Sequence, residues 1–153
     1  MPYQLKIYDA FSGINPMEKG RVIHFLNTFE GENKRENIAE AVEYAIKLKP
    51  SFGGFVLTAE QEGQIVGAIV ANRTGMGSYN PNHILVFVTL HQDYQEDEAL
   101  TKSLIQKAIR HAKGDIAMHV RPDNPALQLY EKIGFKAQYL ELRLSKKDVS
   151  TVA

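Results

Sequence analysis

The residues best suited to chemistry lie in and around residues 121–135, RPDNPALQLYEKIGF. Tyr130 carries a phenol with an ordinary pKa of about 10, so it is protonated at pH 7 and can donate a proton. His119 and His83 lie before this segment, and an imidazole titrates close enough to neutral pH to accept one. Structural roles compete with both readings. A tyrosine on an amphipathic helix can be a core residue, and a lone histidine on a strand is more often structural or exposed.

The same segment predicts a short helix with special residues at both ends. Asn124 is pushed towards extended geometry because Pro125 follows it. Its side-chain oxygen can then cap a helix that begins at Pro125, since proline is favoured at the first helical position. Apolar residues recur at helical spacing, and Gly134 ends the helix as a left-handed cap would. Tyr130 is therefore expected on the margin of the apolar face.

Length and composition exclude several classes of site. The chain has 153 residues, enough for one domain with its own core, which we place at residues 1–145, with a frayed tail at residues 146–153. Without cysteine it can form neither disulfides nor thiolate metal sites, and the spacing of its five histidines relative to carboxylates predicts no metal site. Basic and acidic residues balance at 18 each, so neither nucleic acid nor a membrane surface is expected as a partner.

No signal for a membrane or for export is found. The longest apolar runs are far shorter than a bilayer span, and the first ten residues lack the basic-then-apolar form of a signal peptide. We expect a cytoplasmic protein.

The hydrophobic pattern predicts a strand, two helices, three strands, a helix, a strand, a helix and one or two terminal strands. Residues 83–90 form a continuous apolar run, which predicts a strand buried on both faces. A helix and another strand follow it, and a right-handed crossover places the two strands parallel and adjacent. The predicted strands cover residues 3–8, 55–59, 65–71, 83–90, 116–120 and part of 135–144, and the predicted helices cover residues 17–29, 36–48, 94–113 and 125–133.

The segment at residues 124–135 fits the pattern N-x-x-x-x-L-Y-E-K-x-G-F, and it resembles the corresponding segment of the GNAT N-acetyltransferase superfamily. The matched positions are Asn124, Leu129, Tyr130, Glu131, Lys132, Gly134 and Phe135. The order of elements is also similar, so the resemblance covers nearly the whole chain. It implies an α+β fold of three layers, α/β/α, with a mixed, mostly antiparallel central sheet in which parallel strands 4 and 5 splay apart.

The resemblance also implies a reaction. It is the transfer of an acetyl group from acetyl-CoA, as co-substrate, directly to a primary amine of a small molecule or peptide. Tyr130 matches the tyrosine that protonates the departing thiolate, and Asn124 matches the asparagine that contacts the arm of the cofactor. The residues expected to bind the cofactor are Val86, Phe87, Val88, Leu90, Gln95, Thr101, Lys102, Asn124 and Tyr130.

The general base is less well defined by the sequence. His119 and His83 remain the candidates, and Glu30 and Glu60 are weaker ones. The acceptor is expected to be read by the first two helices and the loop at residues 72–81. A homodimer is possible.

One departure from the family pattern concerns the pyrophosphate. The family places glycines in the loop after strand 4, whereas this chain has no glycine between His91 and Lys113 and carries Glu96, Asp97 and Glu98 there. Carboxylates stabilise a first helical turn, and Asp93 with Glu96 has the spacing of a capping box. They also repel a pyrophosphate. The alternative is therefore a non-catalytic member of the fold, a CoA-binding or protein-interaction module with a degenerate pyrophosphate loop.

Overall fold

The computed structural model describes residues 3–30, 35–77 and 81–146, in which a five-stranded sheet lies between two layers of helices. The strands are β1 (Gln4–Asp9), β2 (Gly54–Gln61), β3 (Gln64–Arg73), β4 (His83–Leu90) and β5 (Ile116–Met118). The helices are α1 (Pro16–Glu30), α2 (Arg35–Ala45), α3 (Glu98–His111) and α4 (Leu127–Ile133). Strands β1 to β4 are antiparallel neighbours and β5 pairs parallel with β4, so the predicted fold class is confirmed.

Each face of the sheet carries its own apolar core. Helices α1 and α2 cover one face with residues such as Leu26 and Val42, and α3 covers the other with Leu100 and Leu104. Because both faces are covered, β2 and β3 are buried along almost their whole length. Gly67 permits the close approach of α3, since a Cβ there would lie 2.7 Å from Leu104 Cδ1.

Strand β4 differs from its prediction, because it is not buried on both faces. Its burial alternates, and Val86 is 40% exposed. The cause is a β-bulge: Val70 pairs with Phe87 and Ala71 pairs with Leu85, which leaves Val86 as the extra residue. The bulge also reverses the alternation. Leu85 packs in the core under α3, whereas Phe87, two residues later, packs in the core under α1 and α2.

Strands β4 and β5 separate after a short parallel ladder. Only three residue pairs join them, from His83 with Ile116 to Leu85 with Met118. Strand β4 continues to Leu90, so residues 86–90 have, among the described strands, a neighbour on the β3 side alone. The predicted splay is therefore present, although β5 is shorter than the predicted residues 116–120.

Helix α3 begins later than predicted, at Glu98, because Asp97 is its N-cap. The Asp97 carboxylate accepts a hydrogen bond from the backbone N–H of Leu100 at 2.9 Å, and a second from the hydroxyl of Tyr3 at 2.5 Å. The predicted capping box of Asp93 and Glu96 is therefore wrong. A separate 3₁₀ turn, Gln92–Tyr94, occupies that part of the chain.

The C-terminal part of the chain contains two further corrections. Helix α4 begins at Leu127 rather than Pro125, because Asn124 and Pro125 form a turn before it. The terminal strands predicted after Phe135 are absent from the described residues: residues 135–145 belong to no helix or strand. Strand formation requires a partner in register, and sequence alternation alone supplies none.

Some expectations fall on residues that the structure does not describe. They concern residues 31–33 of the break predicted between the first two helices at residues 30–33, residues 78–80 of the acceptor loop, and residues 147–153 of the frayed tail predicted at residues 146–153. Within the described part of the chain, no helix has both the length and the apolar character needed to cross a membrane.

The Asp97 cap predicts a specific acid sensitivity. The hydrogen bond from Tyr3, followed by that from Leu100, lowers the pKa of Asp97. Its contribution to folding is therefore present above the ordinary pKa of an aspartate and is lost as the pH falls through the lower folded value. Asp97→Asn keeps a capping oxygen but removes the titration. Urea unfolding from about pH 5 to about pH 2 should show a smaller loss of unfolding free energy for this variant than for the parent.

The matched control is Asp123→Asn, since Asp123 is 75% exposed and pairs only with Arg121 among the described residues. It should leave the pH profile unchanged. A parent-like acid profile in Asp97→Asn would contradict the role of this carboxylate.

Candidate active site

A cavity of about 490 Å³ lies where β4 and β5 separate. It is bounded by the end of α1, the last residues of β4, the start of α3 and the first turns of α4. Its lining residues are Phe29, Glu30, Val88, Thr89, Leu90, Gln95, Glu96, Glu98, Thr101, Asn124, Pro125, Ala126, Gln128, Leu129, Tyr130 and Lys132.

The open edge of β4 faces this cavity. The backbone N–H of His91 bonds to the carbonyl of Val66 on β3 at 2.8 Å, so the backbone groups of the preceding residue, Leu90, point to the opposite side. The side-chain amide of Gln95 donates to the Leu90 carbonyl at 2.8 Å, which shows that this carbonyl is open to the cavity side. Val88 has the same orientation two residues earlier. An extended ligand can bond such an edge as an added strand does.

Tyr130 projects from α4 into the cavity lining while its ring stays buried, 7% exposed. The helix ends directly behind it: Gly134 adopts φ 132°, and the N–H groups of Gly134 and Phe135 bond the Tyr130 carbonyl. The ring packs edge-on against Phe135.

Burial, and then the charge of Glu30, raise the pKa of the Tyr130 phenol. Among residues 3–30, 35–77 and 81–146, no hydrogen-bond partner of its hydroxyl is found. The phenol is thus a protonated donor facing the cavity.

Glu30 is the last residue of α1 and lines the same cavity. It accepts a hydrogen bond of 2.5 Å from the hydroxyl of Thr89, a residue of β4 that is 4% exposed. The C-terminus of a helix carries partial negative charge, and α1 has no basic residue in its last turn. A carboxylate at this position therefore strengthens the attraction for a cation. From the sequence, Glu30 was a weaker candidate for the general base. A carboxylate at the end of a helix whose last turn has no basic residue nevertheless indicates a site that attracts a cation.

The charges around the cavity are mainly negative. Glu96 and Glu98 line it together with Glu30, whereas Lys132 is the one basic residue of the lining among residues 3–30, 35–77 and 81–146. Asp97, between the two glutamates, is engaged as the cap of α3 instead. Only two members of the predicted acidic cluster therefore face the cavity.

The structure brings most of the predicted cofactor-binding residues together. Those that line the cavity are Val88, Leu90, Gln95, Thr101, Asn124 and Tyr130. The other three lie elsewhere. Val86 is the bulged residue, Phe87 is buried under α1 and α2, and Lys102 is on the exposed side of α3. Sequence reasoning did not single out Thr89 or Lys132 as cavity residues.

The two histidines proposed as bases do not line the cavity. His83 is 6% exposed in the closed part of the β4–β5 ladder, and burial lowers its pKa. His119 is 65% exposed after β5, and its Nε2 lies 3.0 Å from a carboxylate oxygen of Glu141. Glu60 is also outside, where it pairs with Lys6 at 3.1 Å. Among the base candidates, Glu30 is the one that lines the cavity with Tyr130.

A family model for the acetyltransferase (GNAT) family matches residues 21–135. The chain belongs to the GNAT acetyltransferase family. The match begins inside α1, at Arg21, and ends at Phe135, so it includes every residue that lines the cavity. Among curated proteins, no sequence matches significantly.

Solved GNAT structures resemble this chain over nearly its full length. An aminoglycoside acetyltransferase, HMB0005, from an uncultured soil metagenomic sample is 20% identical, with a TM-score of 0.64 over 95% of this chain and 99% of that chain. A second, meta-AAC0020, from an uncultured soil metagenomic sample and in complex with sisomicin, is 14% identical, with a TM-score of 0.65 over 94% of each chain. A ribosomal-protein-alanine N-acetyltransferase from Brucella melitensis biovar Abortus 2308 is 13% identical, with a TM-score of 0.64 over 94% and 99%. At these identities the likeness shows the fold alone.

The electrostatic coupling in this GNAT cavity is testable without any ligand. Glu30→Gln removes one of the two causes of the raised pKa of Tyr130 but keeps the other, burial. The pKa of this phenol should therefore fall yet remain above its ordinary value. Carbon NMR of tyrosine-labelled protein across alkaline pH measures it.

Glu40→Gln is the control, because Glu40 is exposed on α2 and outside the cavity. It should leave the Tyr130 titration unchanged. An unaltered Tyr130 pKa in Glu30→Gln would show that the two groups do not interact.

Proposed function

We propose that this chain is an acetyl-CoA-dependent N-acetyltransferase that transfers the acetyl group directly to a primary amine. The observation that carries the proposal is the pair of Tyr130 and Glu30, a protonated phenol and a carboxylate in the lining of one cavity beside an open strand edge. The acceptor is a small molecule or peptide, and we expect the reaction in the cytoplasm.

The open edge of β4 suits the arm of the donor. Pantetheine contains amide groups, and the backbone groups of Val88 and Leu90 point into the cavity where such amides can bond them. Asn124 lies at the start of the α4 region, and its side-chain oxygen already accepts from the Ala126 N–H at 2.8 Å. Its side-chain NH₂ group remains to contact the donor arm.

The proton balance assigns a role to each of the two central residues. The amine nitrogen forms a bond to the acetyl carbon, and the bond between that carbon and sulfur breaks. An ammonium acceptor loses two protons in all: Glu30 takes the first, which frees the amine to attack, and the second replaces the proton that Tyr130 gives to the departing thiolate. Thr89 is a positioning residue, because its hydroxyl bonds the Glu30 carboxylate.

The acceptor is expected to be cationic before it reacts. Glu30, the negative end of α1 and the rim carboxylates Glu96 and Glu98 all favour an ammonium group at this side of the cavity. The similarity to an aminoglycoside acetyltransferase and to a ribosomal-protein-alanine N-acetyltransferase supports an amine acceptor without choosing between a small molecule and a peptide.

A second candidate is a non-catalytic module with a degenerate pyrophosphate site, and the charge of the cavity favours it. At roughly 4–6 Å, each rim carboxylate would cost an anionic donor about 1–3 kcal/mol, for an effective dielectric constant of roughly 20–80. Lys132 and the N-terminal N–H groups of α3 offset part of that cost.

Tyr130→Phe separates the enzyme from the module. The variant removes one oxygen and keeps the buried ring, so the melting temperature and the affinity for acetyl-CoA should stay close to those of the parent. Turnover should fall about 10²–10⁴-fold, the usual contribution of a positioned general acid. The measurement is thiol release from acetyl-CoA with a panel of amines, after the parent has been shown to acetylate at least one.

Tyr94→Phe is the control, since the Tyr94 hydroxyl bonds Gln61 outside the cavity. It should lose some stability and keep its rate. The catalytic assignment fails if Tyr130→Phe loses stability but not rate.

Neutralising the rim should strengthen donor binding. Glu96→Gln with Glu98→Gln removes two negative charges from the cavity lining. Calorimetric titration with CoA should give about tenfold or more tighter binding at low salt, and the gain should shrink as salt is added. Asp93→Asn, at a side chain that is 81% exposed and outside the cavity, should change the affinity little. Equal affinities for the parent and the double variant would show that the glutamates face away from the bound donor.

A further inference from the structure

The gap between β4 and β5 is closed at one end, so a donor bound in it must leave through the other. The closed end is the ladder that finishes at Leu85 and Met118. An arm that bonds the open edge at Val88 and Leu90 therefore continues past the end of β4, towards the start of α3. The group that the arm carries at its far end comes to lie beside residues 95–98.

The inner part of this path suits an arm that contains amides. The side-chain amide of Gln95 donates to the Leu90 carbonyl at 2.8 Å, so the chain itself shows that this edge accepts an amide N–H. Gln95 is an exposed residue, and its side chain can give way to the amide of a ligand. The pantetheine arm of CoA carries amides and no charge, so the edge of β4 fits it.

The outer part of the path does not suit phosphates. Glu96 and Glu98 line the cavity, and residues 92–101 contain neither lysine nor arginine. They contain no glycine either, so each backbone N–H in this stretch lies beside a Cβ that hinders the close approach of a phosphate. Lys132 supplies one positive charge to the lining against these two carboxylates. A diphosphate at this point therefore meets net repulsion.

The N-terminus of α3 is already occupied by a carboxylate of the chain itself. The first N–H groups of a helix ordinarily form a site for phosphate. Here the Asp97 carboxylate accepts from the Leu100 N–H at 2.9 Å. The hydroxyl of Tyr3 and the N–H groups of Leu100 and Ala99 all lower the pKa of Asp97, so this group is ionised at neutral pH. An incoming phosphate would have to displace a carboxylate that also repels it.

We propose that this site recognises its donor by the pantetheine thioester alone, and that acyl-pantetheine compounds without the nucleotide diphosphate of CoA are the preferred donors. This assignment rests on the proposed function and narrows its donor class. The bonds that form and break are those of the proposed reaction, because the nucleotide takes no part in them. Acetyl-CoA remains a donor, but its phosphates reduce its affinity instead of adding to it.

Binding of the unreactive thiols tests the preference separately from catalysis. Pantetheine, phosphopantetheine and CoA share the arm and differ in the number of phosphates. Calorimetric titration at low salt should give affinities that fall in that order, with pantetheine about tenfold or more tighter than CoA. The difference should shrink as salt is added. Tyr130→Phe should show the same order, because the phenol acts at the departing sulfur and not at the phosphates.

Substitutions at the rim test the cause of the preference. Glu96→Gln with Glu98→Gln should tighten the binding of CoA and leave that of pantetheine unchanged, so the two affinities should approach each other. The matched control is Glu131→Gln, which removes a carboxylate from an exposed position of α4 outside the cavity lining. It should leave both affinities as they are in the parent.

Turnover distinguishes a free donor from one that is attached to a protein. The measurement is kcat/KM with one amine that the parent acetylates, for S-acetylpantetheine, acetyl-CoA and an acetylated acyl carrier protein, which presents the same arm on a single phosphate diester. S-acetylpantetheine should give a higher value than acetyl-CoA. A still higher value for the carrier protein would identify a protein-borne donor, and a lower one a free thioester.

The proposal is overturned if CoA binds at low salt as tightly as pantetheine or more tightly, whether or not the chain is an acetyltransferase. It is also overturned if the double glutamine variant changes the two affinities equally. The expected order of affinities without turnover of any thioester would support the recognition of pantetheine and contradict the proposed function. Binding of neither ligand would contradict both.

Discussion

The parallel ladder between β4 and β5 is only three residue pairs long, and the site depends on where it stops. Beyond Leu85 the backbone of β4 has a neighbour on one side only among the described strands, although helices cover both faces of the sheet. Buried backbone groups require partners. The side-chain amide of Gln95 donates a hydrogen bond to the Leu90 carbonyl, and a ligand can bond the other open backbone groups. This early separation opens the cavity and exposes the edge of β4 to it. It also leaves the space into which the start of α3 and the first turns of α4 project.

The electrostatics of the cavity favour one substrate over the other. Glu30 at the negative end of α1 suits an ammonium group, while Glu96 and Glu98 stand at the side where an anionic donor would lie. Within the described part of the chain, the lining has one basic residue, Lys132. Under the proposed function, this balance favours binding of the cationic acceptor and disfavours binding of the anionic donor. The proposed N-acetyltransferase requires that the cavity still binds acetyl-CoA tightly enough for turnover, whereas the non-catalytic module does not.

Local patterns predicted the elements well, and pairing between distant residues explains what they missed. The order of strands and helices, the turn after α4 at Gly134 and the position of Tyr130 follow from short-range periodicity and caps. The bulge at Val86 depends on the register with β3, which no residue of β4 encodes by itself. The alternation after Phe135 wrongly predicted terminal strands, because alternation alone does not supply a partner strand in register. Glu30 was undervalued because its link to Thr89 joins residues 59 positions apart.

The extra residue at Val86 also shifts the alternation of side chains between the two faces of β4, so the parts before and after it are out of step by one residue. His83 and Leu85 face the core under α3, and after the bulge the residues on that side become Val88 and Leu90. Deleting one residue anywhere between them would bring the two halves into a single alternation. Either the ladder to β5 or the cavity edge would then present the wrong side chains. Selection on this strand should therefore act on its length more strongly than on the identity of Val86, whose side chain is partly exposed. Substitutions at that position should be common among relatives, and insertions or deletions within β4 should be rare.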